Sequence, residues 1–145
     1  MTLSEQVVSL ELSKRLKELG VKQESFFGWY FPNEDKIRKD EKWDAPNIQI
    51  VGSGNEWAWH DLQYSAFTVA ELGELLPWYI ESRFLEDADK WLEIQKDENA
   101  DGSARWNISY QDEMGKDLFE VFDSSEADAR AKCLIYLIEN GLMKV

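Results

Sequence analysis

The loop at residues 97–103, with the sequence DENADGS, has the residue types best suited to metal chemistry in this chain. The side chains of Asp97, Asn99 and Asp101 offer oxygen atoms at alternate positions, and Gly102 follows where a sharp turn is needed. This order matches the first half of the calcium loop of EF-hand proteins. The loop is therefore a candidate calcium site.

The second half of the same segment departs from the calcium pattern. The position that requires a bidentate glutamate is occupied by Ile108, and the flanking residues alternate like strands rather than helices. A hairpin turn rich in Asn, Asp and Gly is the alternative interpretation, and any calcium binding would be weak. Glu113 and Asp117 in the next turn are the acids that would have to complete such a site.

The histidine and cysteine content of the chain does not indicate nucleophilic catalysis. His60 and Cys133 are the only histidine and the only cysteine of the chain, and no spacing brings them together. A cysteine nucleophile needs a histidine within hydrogen-bond reach, and a zinc site here would have to be built mainly from carboxylates. Cys133 stands among aliphatic residues of a helical segment, which predicts a buried and unreactive thiol. An enzyme that uses scattered carboxylates remains an alternative.

Tryptophans beside acidic residues are the predicted interaction features. Trp57 and Trp59 share one face of a predicted strand, and Trp43 lies in a charged loop. Tryptophans often anchor protein interfaces whose rims are polar, although these three are alternatively explained as residues that cap the end of a sheet. The acids of the predicted interaction set are Glu86, Asp87 and Glu93.

The net charge of −13 is unevenly distributed along the chain. Residues 61–145 hold nineteen acids and eight bases, whereas residues 1–60 hold ten acids and eight bases. Such a field repels nucleic acid and anionic membranes, so we expect the protein to bind neither directly. We expect its partner to be a basic protein. The alternative is that the acids only maintain solubility. The amino terminus lacks a signal-peptide pattern and a single cysteine cannot form an internal disulfide, which together predict a cytoplasmic protein.

Three amphipathic helices are predicted. The first follows Ser9 and ends at Gly20, and the second begins with the capping box of Thr68 and Glu71. The third and most regular one occupies residues 125–141, with Ile138 at the centre of its apolar face and Tyr136 on the opposite face.

The remaining apolar segments predict strands. Alternation at residues 91–96 and 105–111 predicts a hairpin, and the glycines at 52–54 predict a second hairpin between residues 47–51 and 56–62. We expect a single α+β domain over residues 1–145. Its core would be a mainly antiparallel sheet of about five strands with three helices, the C-terminal helix being packed on the sheet.

Three segments, residues 9–29, 64–77 and 128–142, resemble recurrent segments of small bacteriophage- and prophage-encoded proteins of unknown function. The resemblance implies a phage or mobile-element origin and an accessory role in the bacterial cytoplasm. It implies no activity and no catalytic residue.

Together these features favour a phage-encoded, non-enzymatic interaction module with an acidic surface. Such a module would bind a basic protein, as an inhibitor of a host protein or as a mimic of nucleic acid. A calcium- or other ligand-binding module built on the loop at residues 97–103 is the alternative, and the carboxylate-dependent enzyme is the third possibility.

Overall fold

The computed structural model describes residues 2–32, 46–51, 60–85 and 88–145, which adopt an α+β fold. The helices within these ranges are α1 (Leu3–Gln6), α2 (Leu10–Glu18), α3 (Val69–Leu75) and α4 (Glu126–Glu139), with a 3₁₀ turn at Ser82–Phe84. The strands are β1 (Phe27–Pro32), β2 (Asn47–Ile50), β3 (His60–Ser65), β4 (Tyr79–Ile80), β5 (Lys90–Glu98), β6 (Ala104–Gln111) and β7 (Asp117–Asp123). Every pair formed by these strands is antiparallel.

The strands form two sheets, where the sequence predicted one. The first has the order β2–β1–β3 and the second the order β4–β5–β6–β7. The predicted hairpin between residues 47–51 and 56–62 is wrong, because β1 lies between β2 and β3 and pairs with both. Short sequence separation favoured the hairpin, but β1 is apolar on both faces and so suits the central position.

The predicted hairpin of residues 91–96 and 105–111 is confirmed. Leu92 lies opposite Tyr110 and Ile94 opposite Ile108, so the apolar side chains of both strands share the inner face of the four-stranded sheet. β7 continues this face, with Val121 opposite Ile108. The inner face packs on α4, as predicted.

The orientation of α4 differs in part from the prediction. Cys133 and Leu137 are fully buried, whereas Ile138, the predicted centre of the buried face, is only half-buried. Tyr136, predicted to be exposed, stacks on Phe119 with ring centroids 3.8 Å apart. The helix is buried over a wider arc because α2 and α3 pack on it in addition to the sheet.

The helix ends are confirmed by their caps. The Thr68 hydroxyl accepts the N–H of Glu71, and the Glu71 carboxylate accepts the N–H of Thr68 in return. The Ser125 hydroxyl accepts the N–H of Asp128, and Gly141, with φ of +68°, follows the end of α4. None of the helices in the described part of the chain combines the length and apolarity needed to span a membrane.

Candidate interaction surface

Three aromatic side chains lie in a row across the start of the four-stranded sheet, and we call them the aromatic strip: Trp78, Tyr79 and Trp91. Tyr79 of β4 lies directly opposite Trp91 of β5. The ring centroids of Trp78 and Tyr79 are 5.3 Å apart, and those of Tyr79 and Trp91 are 5.9 Å apart. Trp78 is 72% exposed, while the other two are half-buried. The strip is thus an apolar surface held by strand pairing and open to solvent.

The segment that carries Trp78 is tied to the core from below. Tyr110 is fully buried, and its hydroxyl donates a hydrogen bond to the carbonyl of Pro77, directly before the strip. Burial raises the pKa of Tyr110, so this hydroxyl keeps its proton as a donor. The N–H of Leu92 bonds to the Trp78 carbonyl at 3.0 Å. Two bonds from the sheet therefore fix the peptide groups on either side of Trp78.

Exposed apolar side chains extend the strip at both ends. On one side, Leu75, Trp78 and Phe84 are all exposed and line a cleft of about 390 Å³. On the other side, Trp91 and Met114 line a second cleft of about 430 Å³, and Met114 is 91% exposed. A continuous apolar patch at the surface of a protein typically marks a binding site.

Carboxylates surround this patch. Asp89, Asp112 and Glu113 line the second cleft, and no base is present among its described lining residues. Arg83 near the first cleft is paired with Glu81. The patch therefore lies in a locally negative field.

Asp112 holds the turn that carries Glu113 and Met114. One of its oxygens accepts the N–H groups of Met114 and Lys116, each at 2.9 Å. The other lies 3.2 Å from the Nζ of Lys90, a side chain that is only 1% exposed. The Lys116 N–H bond, followed by the Lys90 contact, holds the pKa of Asp112 below its usual value. The turn is therefore fixed to β5 by an ionised carboxylate.

Asp89 is held in a similar way on the other side of the cleft. Its carboxylate accepts the N–H of Ser82 at 2.6 Å and a hydrogen bond from the hydroxyl of Tyr79. These bonds lower the pKa of Asp89, and the same carboxylate raises the pKa of Tyr79. Both acids are therefore ionised at neutral pH. Lys90 offsets the charge of Asp112, so the net negative charge of the cleft beside Trp91 comes from Asp89 and Glu113.

Most of the predicted interaction set lies outside the residues that the structure describes, namely Trp43, Trp57, Trp59, Glu86 and Asp87. Glu93 is the exception. It is exposed on β5 and shares the outer face with Trp91, two residues before it. The sequence-based interpretation thus selected one acid of the observed surface and missed its aromatic residues.

A signal for the strip is present in the sequence. Residues 91–96 alternate, so the strand pattern places Trp91 on the face opposite to Leu92 and Ile94. Trp78 and Tyr79 follow Pro77, which ends the preceding helix. The sequence pattern of residues 78–89 fits an edge strand and irregular chain equally well. What the sequence lacked was the pairing of Tyr79 with Trp91, which depends on the tertiary fold.

The loop at residues 97–103 forms the tip of the β5–β6 hairpin. Asp101 accepts hydrogen bonds from the backbone N–H and the hydroxyl of Ser103, and the Asn99 amide donates to the same hydroxyl. Asp97 lies 3.7 Å from Arg105 on the opposite strand. The Ser103 bonds lower the pKa of Asp101. All three predicted calcium ligands thus have partners within the hairpin.

The acids expected to complete a calcium site are not near it. Glu113 belongs to the β6–β7 connection and Asp117 begins β7, so both lie at the opposite end of β6 from the hairpin tip. Within the described ranges, no cluster of three or more His, Cys, Asp or Glu side chains is arranged to hold a metal ion. Calcium binding by Asp97, Asn99 and Asp101 stays a prediction.

Cys133 is buried in α4, as predicted, and burial raises the pKa of its thiol to about 12. A thiol in that state is a poor nucleophile at neutral pH. His60 begins β3, and its side chain lies outside the described part of the chain.

A comparison of the chain with protein-family models, with curated proteins and with solved structures finds no match. The similarity to phage-encoded proteins therefore stays a prediction from the sequence.

Proposed function

We propose that the protein is a non-enzymatic interaction module that binds a basic protein through the aromatic strip and the carboxylates around it. The observation that carries the proposal is the row of exposed Trp78 and half-buried Tyr79 and Trp91 beside ionised Asp89 and Asp112. Aromatic faces attract lysine and arginine side chains, and nearby carboxylates add charge attraction. Tryptophan and tyrosine are also frequent anchors of protein interfaces.

The chemistry of the surface carboxylates favours binding over catalysis. A general acid at neutral pH needs a raised pKa, whereas Asp89 and Asp112 have lowered values because both accept backbone N–H bonds. Asp128 has a raised pKa because it is partly buried, but it accepts the N–H of Ser9 at 2.7 Å and so ties α4 to the start of α2. These acids have structural partners.

In a phage context, such a surface would suit inhibition of a host protein or mimicry of nucleic acid. The nineteen acids of residues 61–145 support this role, because proteins that bind nucleic acid present basic surfaces. We expect the partner to belong to that class.

The test begins with capture of the partner from a bacterial lysate, with the wild-type protein and Trp78→Ala as baits. Truncation of a central tryptophan should raise the off-rate by about thirtyfold, since such anchors contribute on the order of 2 kcal/mol. Trp78 is mostly exposed, so thermal unfolding of the variant should match that of the wild type. An unchanged off-rate would contradict the proposed surface.

A pair of charge-reversal variants separates this surface from the overall charge. Glu93→Lys with Glu113→Lys alters the rim of the strip, whereas Glu11→Lys with Glu24→Lys makes the same change of net charge at exposed positions elsewhere. The first pair should slow association several-fold at low salt, and the effect should vanish near about 0.5 M salt. Equal slowing by both pairs would assign the effect to net charge alone.

A further inference from the structure

The outer edge of β5 is paired only at its beginning. β4 contacts Lys90 and Trp91, and the N–H of Leu92 bonds to the Trp78 carbonyl. Beyond this point, none of the described strands lies beside residues 93–98 on that edge. The open edge therefore begins where the aromatic strip ends.

The backbone of this edge is directed outward. The N–H of Leu92 points to β4 and away from β6, and backbone direction alternates along a strand. Ile94, Lys96 and Glu98 consequently turn their N–H and C=O groups to the same open side. Such a row of groups is a template for pairing with another strand.

A groove of about 1100 Å³ lies beside the inner face of the hairpin. Lys96 and Trp106 line it from the sheet, with the Nζ of Lys96 5.8 Å from the centre of the Trp106 ring. Val69 and Gly73 of α3 line the other wall. A strand added to β5 would turn alternate side chains into this groove and the others to the outer face.

The outer face next to the edge has a net negative charge, because two acids and one base, Arg105, lie there. Glu93 is exposed there, and Asp97 follows on the same face, where it also contacts Arg105. Side chains of an added strand on this face would therefore meet negative charge, which lysine or arginine complements.

We propose that β5 binds an extended segment of the partner by strand addition along residues 94–98. Its lysine or arginine side chains would face Glu93 and Asp97, and its aliphatic side chains would enter the groove. This inference rests on the proposed function, because strand addition is the way in which the proposed basic partner would bind. Main-chain bonds provide affinity in this mode, and alternate side chains provide specificity.

The first experiment uses a short labelled peptide of alternating valine and lysine. The matched peptide has the same sequence but carries N-methyl groups on the amides that would face β5. It keeps its charge and loses main-chain donors, so it should bind about tenfold more weakly. Hydrogen exchange at Ile94 and Lys96 should slow with the first peptide and remain unchanged with the second.

The second experiment alters the edge itself. Lys96→Pro removes an outward N–H without removing a bond to β6, and proline is tolerated at strand edges. Lys96→Ala is the matched control, because it removes the charge and keeps the N–H. We expect loss of peptide affinity of about tenfold for the proline variant and none for the alanine variant. If the proline variant unfolds, the affinities of the two peptides for the wild-type protein test the proposal on their own.

Equal binding of both peptides, or no binding of either, would overturn strand addition. The proposed function would then still be judged by the partner's off-rate from Trp78→Ala, which does not depend on the edge. Concentration-dependent dimers that Lys96→Pro abolishes would also overturn the inference, by assigning the edge to a second copy of the chain.

Discussion

The two ends of β6 carry acidic turns that use their carboxylates in different ways. At the hairpin tip, Asp101 bonds only to Ser103 within its own loop. At the other end, Asp112 reaches the buried Lys90 on β5 and also holds the N–H groups of its own turn. The second turn is thus fixed to a neighbouring strand, and Met114 stands exposed beside Trp91.

This comparison shows why acidic residues in a sequence do not by themselves indicate a site. Both turns contain aspartates, but Asp112 lines a cleft together with Trp91 and the exposed Met114, whereas Asp101 bonds to Ser103 of its own loop. The residues that neighbour a carboxylate in the fold decide whether it stabilises a loop or forms part of a binding surface.

The largest expected difference between the two turns is in stability. Asp112→Ala should lower the urea midpoint far more than Asp101→Ala, because it leaves the buried ammonium of Lys90 without this carboxylate and frees two N–H groups of the turn. Lys90→Met is the control. It preserves the volume of the buried stem, and the Asp112 carboxylate that remains still accepts the N–H groups of Met114 and Lys116, so it should cost less than Asp112→Ala. Similar urea midpoints for Asp112→Ala and Asp101→Ala would contradict the different structural roles assigned to these two carboxylates.

The parts of the fold that depend on short sequence separations were predictable. The capping box of Thr68 and Glu71 and the hairpin of β5 and β6 are each completed by residues close in the chain. The position of β1 between β2 and β3 was not predictable, because it depends on the pairing of segments that are distant in the sequence. The extent of burial of α4 also depends on helices far away in sequence, which a periodic pattern does not contain.

The candidate surface was predictable only in its acidic character. Trp78, Trp91 and Met114 are separated by more than ten residues each; the pairing of β4 with β5 brings Trp78 near Trp91, and the β6–β7 connection places Met114 in the cleft beside Trp91. The calcium-like spacing at residues 97–103 was a local signal, and the hydrogen bonds of Ser103 explain the same residues as a stabilised turn.

A smaller effect, which the two turns share, should appear on acidification. The pKa values of Asp101 and Asp112 are both lowered from 3.8. Each therefore contributes stability that is fully present above that value and is lost as the pH falls through the lower folded-state pKa. Urea midpoints from about pH 5 to about pH 2 should fall in the wild type, and Asp112→Asn and Asp101→Asn should each reduce the slope. A steeper slope in either variant would contradict the direction of its pKa shift.

The smallest expected effect concerns calcium at the hairpin tip. A ligand that binds only the folded protein stabilises it by RT ln(1 + c/Kd), where c is the ligand concentration, and this stabilisation is small when c is below Kd. Because Asn99 and Asp101 already bond to Ser103, and Glu113 and Asp117 are at the far end of β6, calcium at about 1 mM should raise the midpoint by less than about 1 °C. Magnesium at the same concentration controls for screening of the net charge. If calcium but not magnesium raises the midpoint, and Asp101→Asn abolishes this rise, the predicted calcium site at the hairpin tip is supported. Both ends of β6 would then carry a binding site, one for calcium and one for a protein partner.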